Sequence, residues 1–219
     1  MMQRPRIKIC GIKQVEEATA AVSAGADAIG LVFYPSSCRY VNVQKAEQIA
    51  QVIPPFISLA GLFVNHDMAY ITMVHQRLKL SVLQFHGDES PEFCMTASRQ
   101  LSLPFIKAVR VDATDTIMQS CQLYHAAQGL LLDRYDAAHS GGTGRTFDWR
   151  MIPKKCDLPI VLAGGLHSGN VTQALDQVQP YAVDVSSGVE EKRGVKSIEK
   201  IQAFITQVYQ HTCHRIHIH

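Results

Sequence analysis

No run among the 219 residues approaches the roughly 18–20 consecutive apolar residues that a membrane-spanning helix needs. Neither sign of charge is in excess. The 21 Lys and Arg stand against 19 Asp and Glu, a formal net charge of +2, which gives no reason to expect nucleic acid or a membrane surface as a partner. The N-terminal MMQRPRIKIC has basic residues with no apolar signal core behind them, so a soluble, cytoplasmic protein is expected. C-x-x-C pairs are missing as well. The six cysteines, at positions 10, 38, 94, 121, 156 and 213, are scattered through a chain too large for a disulfide-framed mini-protein. Free thiols are expected, most of them small buried hydrophobes. Charged residues make up only 18% against 47% hydrophobic, which suits a sizeable core and argues against disorder. The sequence shows no linker, low-complexity tract or second domain.

What is present is an alternation. Apolar runs rich in Val, Ile, Leu and Phe occur at 6–12, 28–33, 58–64, 81–87, 104–111, 129–135, 158–165 and 182–188. Amphipathic stretches lie between them at 14–26, 42–53, 68–78, 90–101 and 168–178, with a last one at 197–211. Their ends carry stop and start signals. Gly25 fits a C-terminal stop, Asn42 a cap, and Ser90-Pro91 a cap followed by a first helical residue. The fifth and sixth helices, at 114–127 and 147–153, read as irregular: one is polar and the other barely two turns long. Alternating strands and helices imply parallel strands with helical crossovers. An open doubly wound sheet and a closed (βα)8 barrel both satisfy that rule, and eight repeats about 25 residues apart favour a single-domain (βα)8 TIM barrel. The barrel is expected to span 1–210, with 211–219 as a flexible C-terminal extension.

A barrel of this kind carries its chemistry at the C-terminal ends of its strands. Polar residues gather there: Cys10 on the first strand, His86 on the fourth, Asp133 on the sixth, and Asp184, Ser186, Ser187 and Gly188 on the eighth. Residues two apart on a strand share a face, so Lys8 goes with Cys10 and Asp184 with Ser186. Ala163-Gly164-Gly165 and Ser186-Ser187-Gly188 follow the seventh and eighth strands, where this fold commonly grips phosphate with backbone N–H groups. Ordinary glycine-rich turns are the plainer alternative. The glycine-rich segment at 134–149 lacks the Gly-Lys-Ser/Thr ending of a P-loop and reads as a mobile loop over the site.

Several motifs in order carry a resemblance. They are KICGI, GADAIGLVFYPSSCRYV, LAGLFVN, VLQFHGDE, LLLD with GGTGRTFDW, LAGGL followed by NV, and AVDVSSGVE. Together the segments from about residue 6 to 206 resemble the phosphoribosylanthranilate isomerases, which catalyse an Amadori rearrangement in tryptophan biosynthesis. The resemblance implies a small-molecule substrate and neither cofactor nor metal. It implies Cys10 as general base, Asp133 as general acid, and Arg39 as the holder of the anthranilate carboxylate. Gly164, Gly165, Ser186, Ser187 and Gly188 map onto the phosphate grip, with Asp184 beside them.

For those roles the acid needs a raised pKa and the thiol a lowered one. Lys8 either lowers the pKa of Cys10 or pairs with a core carboxylate such as Asp184; both remain open. His86 stays outside the catalytic set, because structural hydrogen bonding explains it equally well. Two departures from the family pattern are Cys38 in the Arg39 loop and Ser197 where an aspartate is frequent. The His- and Cys-bearing tail matches nothing in the pattern, and fraying is favoured over metal binding. Other phosphate-binding barrels, such as indole-glycerol-phosphate synthase or thiamine-phosphate synthase, and a non-enzymatic phosphometabolite sensor are the alternatives. They lack the pairing of a KICGI cysteine with LLLD and GGTGRTFDW. Monomer and homodimer are both compatible with the fold.

Overall fold

A computed structural model of the protein describes residues 4–134, 146–153 and 156–216. Eight parallel strands close into a barrel: β1 (Arg6–Cys10), β2 (Ala28–Val32), β3 (Ser58–Phe63), β4 (Val82–Phe85), β5 (Phe105–Val111), β6 (Leu130–Arg134), β7 (Ile160–Leu162) and β8 (Ala182–Val185). Closure is made by β1 against β8, with Lys8 opposite Asp184 and Ile9 opposite Val185. The register places Cys10 opposite Gly30 on the other side. All eight expected strands are present.

Strand alternation sorts the side chains into two layers. Ile7, Ile9, Ile29, Leu31, Phe63 and Phe85 point outward into the main core beneath the helices. Wholly buried Phe33, Phe63, Phe85 and Phe105 anchor it, each worth roughly 1.5–3 kcal/mol of burial. A second layer of Leu131, Val161, Ala163 and Ala182, flanked by Ile106 and Ala108, fills the barrel on the β5–β8 side.

The helices are α1 (Val15–Ala24), α2 (Val43–Ala50), α3 (Met68–Leu78), α4 (Pro91–Leu101), α5 (Thr114–Leu123), α6 (Val171–Val178) and α7 (Ile198–Ile216). Their ends follow the local chemistry. Gly25 stops α1 at φ 103°, its N–H bonded back to Ala21 O and Val22 O. Asn42 accepts from the Lys45 N–H at 2.8 Å, and Ser90 from the Phe93 N–H at 3.2 Å. Ser197 does the same for the Lys200 N–H at 3.3 Å, so serine caps α7 in place of an aspartate.

The structure revises some of these expectations and adds to others. The fifth helix is regular, anchored by fully buried Ile117 while its polar residues face outward. The sixth βα unit is irregular as expected, with a single 3-10 turn, Trp149–Met151, and no α-helix among the described residues. After β8 the chain makes a 3-10 turn (Ser187–Val189) and then an antiparallel hairpin, β9 (Glu190–Lys192) and β10 (Val195–Lys196). Helix α7 runs through Ile216, and the His211 Nε2 lies 2.9 Å from Asp176 Oδ1. Finally, Cys121 and Cys156 form a disulfide. They are far apart in sequence, but both pack against the Ile117–Leu132 cluster outside β5 and β6. Cys10, Cys38 and Cys94 are free thiols. Most of the glycine-rich segment, residues 135–145, and His217 and His219 of the tail lie outside the described residues, as does the side chain of His214.

Candidate active site

The C-terminal mouth of the barrel collects the expected residues. Cys10 ends β1 with only 4% of its surface exposed. It packs with Val32 and Leu62, and Tyr34 and Val64 border the same apolar wall. Gly30 on β2 makes this possible. A Cβ there would lie 2.8 Å from Cys10 Sγ and 3.0 Å from Lys8 Cε. Burial pushes the Cys10 thiol above its usual pKa. The Lys8 and Lys196 charges pull the other way without overcoming it.

Lys8 answers the question left open by its spacing from Cys10. It does both things. Its buried ammonium bonds Asp184 Oδ1 at 2.8 Å and Gln84 Oε1 at 2.8 Å, and its charge also acts on Cys10. Burial disfavours the Lys8 charge, but Asp184 and Cys10 together raise its pKa. Gln84, on β4, is completely buried, and its Nε2 lies 3.0 Å from Nδ1 of His86. His86 Nε2 in turn lies 3.4 Å from Asp133 Oδ2 on β6. One chain of polar groups therefore crosses the barrel: Asp184, Lys8, Gln84, His86, Asp133.

Asp133 is half-buried, and its Oδ1 accepts the Arg134 N–H at 2.8 Å. Burial favours its neutral form, but the interaction with His86, the Arg134 N–H and the Arg39 charge outweigh it. Its carboxyl is thus held below the usual range, where a raised pKa was expected. The free protein carries Asp133 as a carboxylate and Cys10 as a thiol.

Arg39 reaches the mouth from the loop after β2. Gly11, at φ 77°, lets the end of β1 lie against its stem; a Cβ there would sit 2.7 Å from Arg39 Cδ. The guanidinium fork is already engaged, Nε and Nη2 donating to the two oxygens of Glu190 at 2.7 and 3.1 Å. Burial works against the Arg39 charge, and Glu190 more than offsets it. Glu190 Oε1 also takes the Lys196 ammonium at 3.1 Å. Burial lowers the pKa of Lys196, whose ammonium also donates to the Ser186 backbone oxygen at 3.0 Å and hydroxyl at 3.1 Å.

The two candidate phosphate loops are neighbours. Gly188 packs on the Leu166 carbonyl so closely that no Cβ fits. Gly164 and Gly165 both have positive φ, 76° and 73°, and a Cβ on Gly164 would meet the Arg134 N at 2.7 Å and Asp133 Oδ1 at 3.0 Å. The seventh loop therefore abuts Asp133. Ser187 opens the 3-10 turn after β8. Two members also make bonds within the protein. The Ser186 hydroxyl donates to the Cys10 carbonyl at 3.0 Å, and Asp184 is the ion-pair partner of Lys8.

The sequence reading missed Gln84, Glu190, Lys196 and Gly30. Gln84 carried a signal, two residues before His86 on a strand. The Glu190–Lys196 hairpin carried none. Among the described residues, no cluster of three or more His, Cys, Asp or Glu side chains could hold a metal ion, and no helix is long and apolar enough to cross a membrane.

Comparison with known proteins gives a consistent result. A family model described as N-(5'phosphoribosyl)anthranilate (PRA) isomerase matches residues 7–207. A relative from Pseudomonas syringae pv. tomato, named N-(5'-phosphoribosyl)anthranilate isomerase, is 53% identical over 208 residues, covering 95% of this chain and 99% of its own. The crystal structure of phosphoribosyl anthranilate isomerase from Thermotoga maritima superposes with a TM-score of 0.84 at 38% identity, covering 94% of this chain and 99% of that one. Another isomerase structure is described in complex with reduced 1-(o-carboxyphenylamino)-1-deoxyribulose 5-phosphate. It matches with a TM-score of 0.80 at 36% identity, again covering 94% and 99%.

Proposed function

This chain belongs to the N-(5'-phosphoribosyl)anthranilate isomerase family, and from that premise we propose that Cys10 is its general base and Asp133 its general acid. It is an isomerase of tryptophan biosynthesis, and as a biosynthetic enzyme we place it in the cytoplasm. The observation that carries the assignment is convergence. Cys10 and Asp133 come from β1 and β6 to one mouth, and the Arg39 charge acts on both.

In the reaction Asp133 gives its proton to the furanose ring oxygen. The ring C–O bond breaks as the nitrogen lone pair forms a C=N bond. The Cys10 thiolate then takes the C2 hydrogen, leaving an enolamine, which tautomerises to the ketone. The free protein holds the single proton on the opposite partner, Cys10 rather than Asp133, so substrate binding must move it. The anthranilate carboxylate, set against Arg39, would cancel one of the lesser influences that hold the Asp133 pKa down, and displacement of water from the filled site would favour the neutral carboxyl further. Because Glu190 occupies Nε and Nη2, that carboxylate would meet the Nη1 side of Arg39. Gly164, Gly165, Ser187 and Gly188 are assigned to the phosphate, bound through backbone N–H groups. Ser186 acts indirectly, by fixing the Cys10 carbonyl. The apolar wall beside Cys10 fits the anthranilate ring.

The test is the loss of phosphoribosylanthranilate fluorescence, with substrate generated in situ. Cys10→Ser and Asp133→Asn should each lower kcat by about 10²–10⁴. Near wild-type turnover in either variant would remove that residue from its role.

A further inference from the structure

We propose that Gln84 locks His86 in its Nε2–H tautomer, which turns the ring hydrogen to the side of Asp133, and that Lys8 sets the polarity of the chain. The proposal deepens the reading of Asp133 as general acid, and only its kinetic part rests on that reading.

The argument is one of donors and acceptors. The Lys8 ammonium can only donate. The Gln84 atom lying 2.8 Å from it must therefore be the amide oxygen. The opposite amide orientation would press N–H against N–H inside the barrel, where Gln84 has no exposed surface. With the oxygen turned to Lys8, the Gln84 amide nitrogen faces His86 Nδ1 at 3.0 Å. An amide nitrogen can only donate, so Nδ1 must accept and carries no hydrogen. The ring hydrogen is left on Nε2, which faces Asp133 Oδ2. An Nδ1–H tautomer or an imidazolium would set two N–H groups against each other.

Among the described residues, several charged groups lie around His86. Asp133 of β6 faces Nε2 directly. Arg39, from the loop after β2, acts on Asp133. Lys107 of β5 is occupied by the Gly87 carbonyl at 2.6 Å, the Phe85 carbonyl at 3.5 Å and Glu89 at 3.1 Å. Beyond Gln84 stand Lys8 and its partner Asp184. From Lys8 through Gln84 to His86 every group donates in the direction of Asp133. The Arg134 N–H bonds Oδ1, and His86 Nε2 lies 3.4 Å from Oδ2. His86 is thus a positioning residue, and Gln84 acts through it.

The experiment reads the His86 ring nitrogens by long-range 1H–15N NMR in the ligand-free protein, assigned by loss of the signal in His86→Asn. In wild type the neutral ring should carry its hydrogen on Nε2 alone. Gln84→Met keeps the volume but not the donor, and should give mixed tautomers. Gln84→Glu puts an acceptor opposite Nδ1 and should move the hydrogen there. A hydrogen on Nδ1 in wild type would overturn the proposal, as would an unchanged ring in Gln84→Glu. The wild-type spectrum decides even if a variant does not fold. In turnover, Gln84→Met should lose roughly tenfold in kcat with KM changed less than about threefold. An altered tautomer with unchanged kcat would overturn the positioning role. Asp133→Asn tests the acid separately, since the tautomer is read without substrate.

Discussion

Cys10 and Asp133 rest in protonation states opposite to those the proposed reaction uses, because burial governs the thiol and hydrogen bonds govern the carboxylate. Both resting and reactive forms hold one proton between the pair. Activity should therefore fall only when the pair gains a second proton or loses its last one. The first happens below the lowered Asp133 pKa and the second above the raised Cys10 pKa. We expect kcat/KM to stay flat from below the ordinary aspartate value of about 3.9 to above the ordinary thiol value of about 8.5. A basic limb between about pH 7 and 8 would contradict this. Gly30 gives a second expectation. An added methyl would meet Cys10 Sγ at 2.8 Å and Cys10 Cα at 3.1 Å, and the Cα belongs to a strand that cannot swing away. Gly30→Ala should cost about 1–3 kcal/mol of stability and roughly 10²-fold in kcat through misplacement of the thiol, read by urea unfolding and the fluorescence assay.

Among the elements, the β9–β10 hairpin has the largest effect on the site for its size. Glu190 opens β9 and compensates two cations, Arg39 from the β2 loop and Lys196 from β10. Gly194 turns the hairpin at φ 77° and lies so close to the Cys38 carbonyl that a Cβ would be 2.5 Å away. Its N–H donates to Glu190 Oε2 at 3.1 Å. All three ionised side chains are at least 88% buried, so removing the one negative charge leaves two desolvated cations side by side. Glu190→Gln should lower stability by about 3 kcal/mol. Adding Lys196→Met should recover part of that, since the double-mutant cycle measures the coupling directly.

At the scale of the whole molecule, the barrel depends on joining its first strand to its last, and the N-terminal segment is secured from below. Asp27 accepts from Arg4 at 2.7 and 2.8 Å, from Arg6 at 3.2 Å and from the Ile7 N–H at 2.8 Å. Burial favours its neutral form, yet these bonds hold its pKa below the ordinary value. A depressed carboxylate pKa stabilises the fold above the unfolded value of about 3.9, and the contribution disappears as pH falls through the folded value. Asp27→Asn should therefore cost about 1 kcal/mol at neutral pH, after allowance for partial exposure. The gap from wild type should close on acidification. A constant gap in denaturant midpoints across pH would show that the charge is not its source.

Periodicity and punctuation were legible because they are local. Eight apolar runs, Gly25, Asn42 and Ser90-Pro91 act through contacts within a few residues, and the strands and helix ends they marked are present. The motif order was enough to identify the family. The fifth helix misled because its polar residues face outward while one side chain, Ile117, holds it against the barrel, and the sixth unit, read as irregular, holds a single 3-10 turn around buried Trp149. The sequence by itself determined that Cys10 and Asp133 lie at strand ends and Arg39 in the loop after the second strand. Only the tertiary structure decided what those groups feel. Lys8 pairs with Asp184 across 176 residues, and Arg39 with Glu190 across 151. Hydrogen bonds and burial act through space, so much of the electrostatics of the site comes from barrel closure, beyond what sequence neighbours such as Lys8 and Cys10 supply.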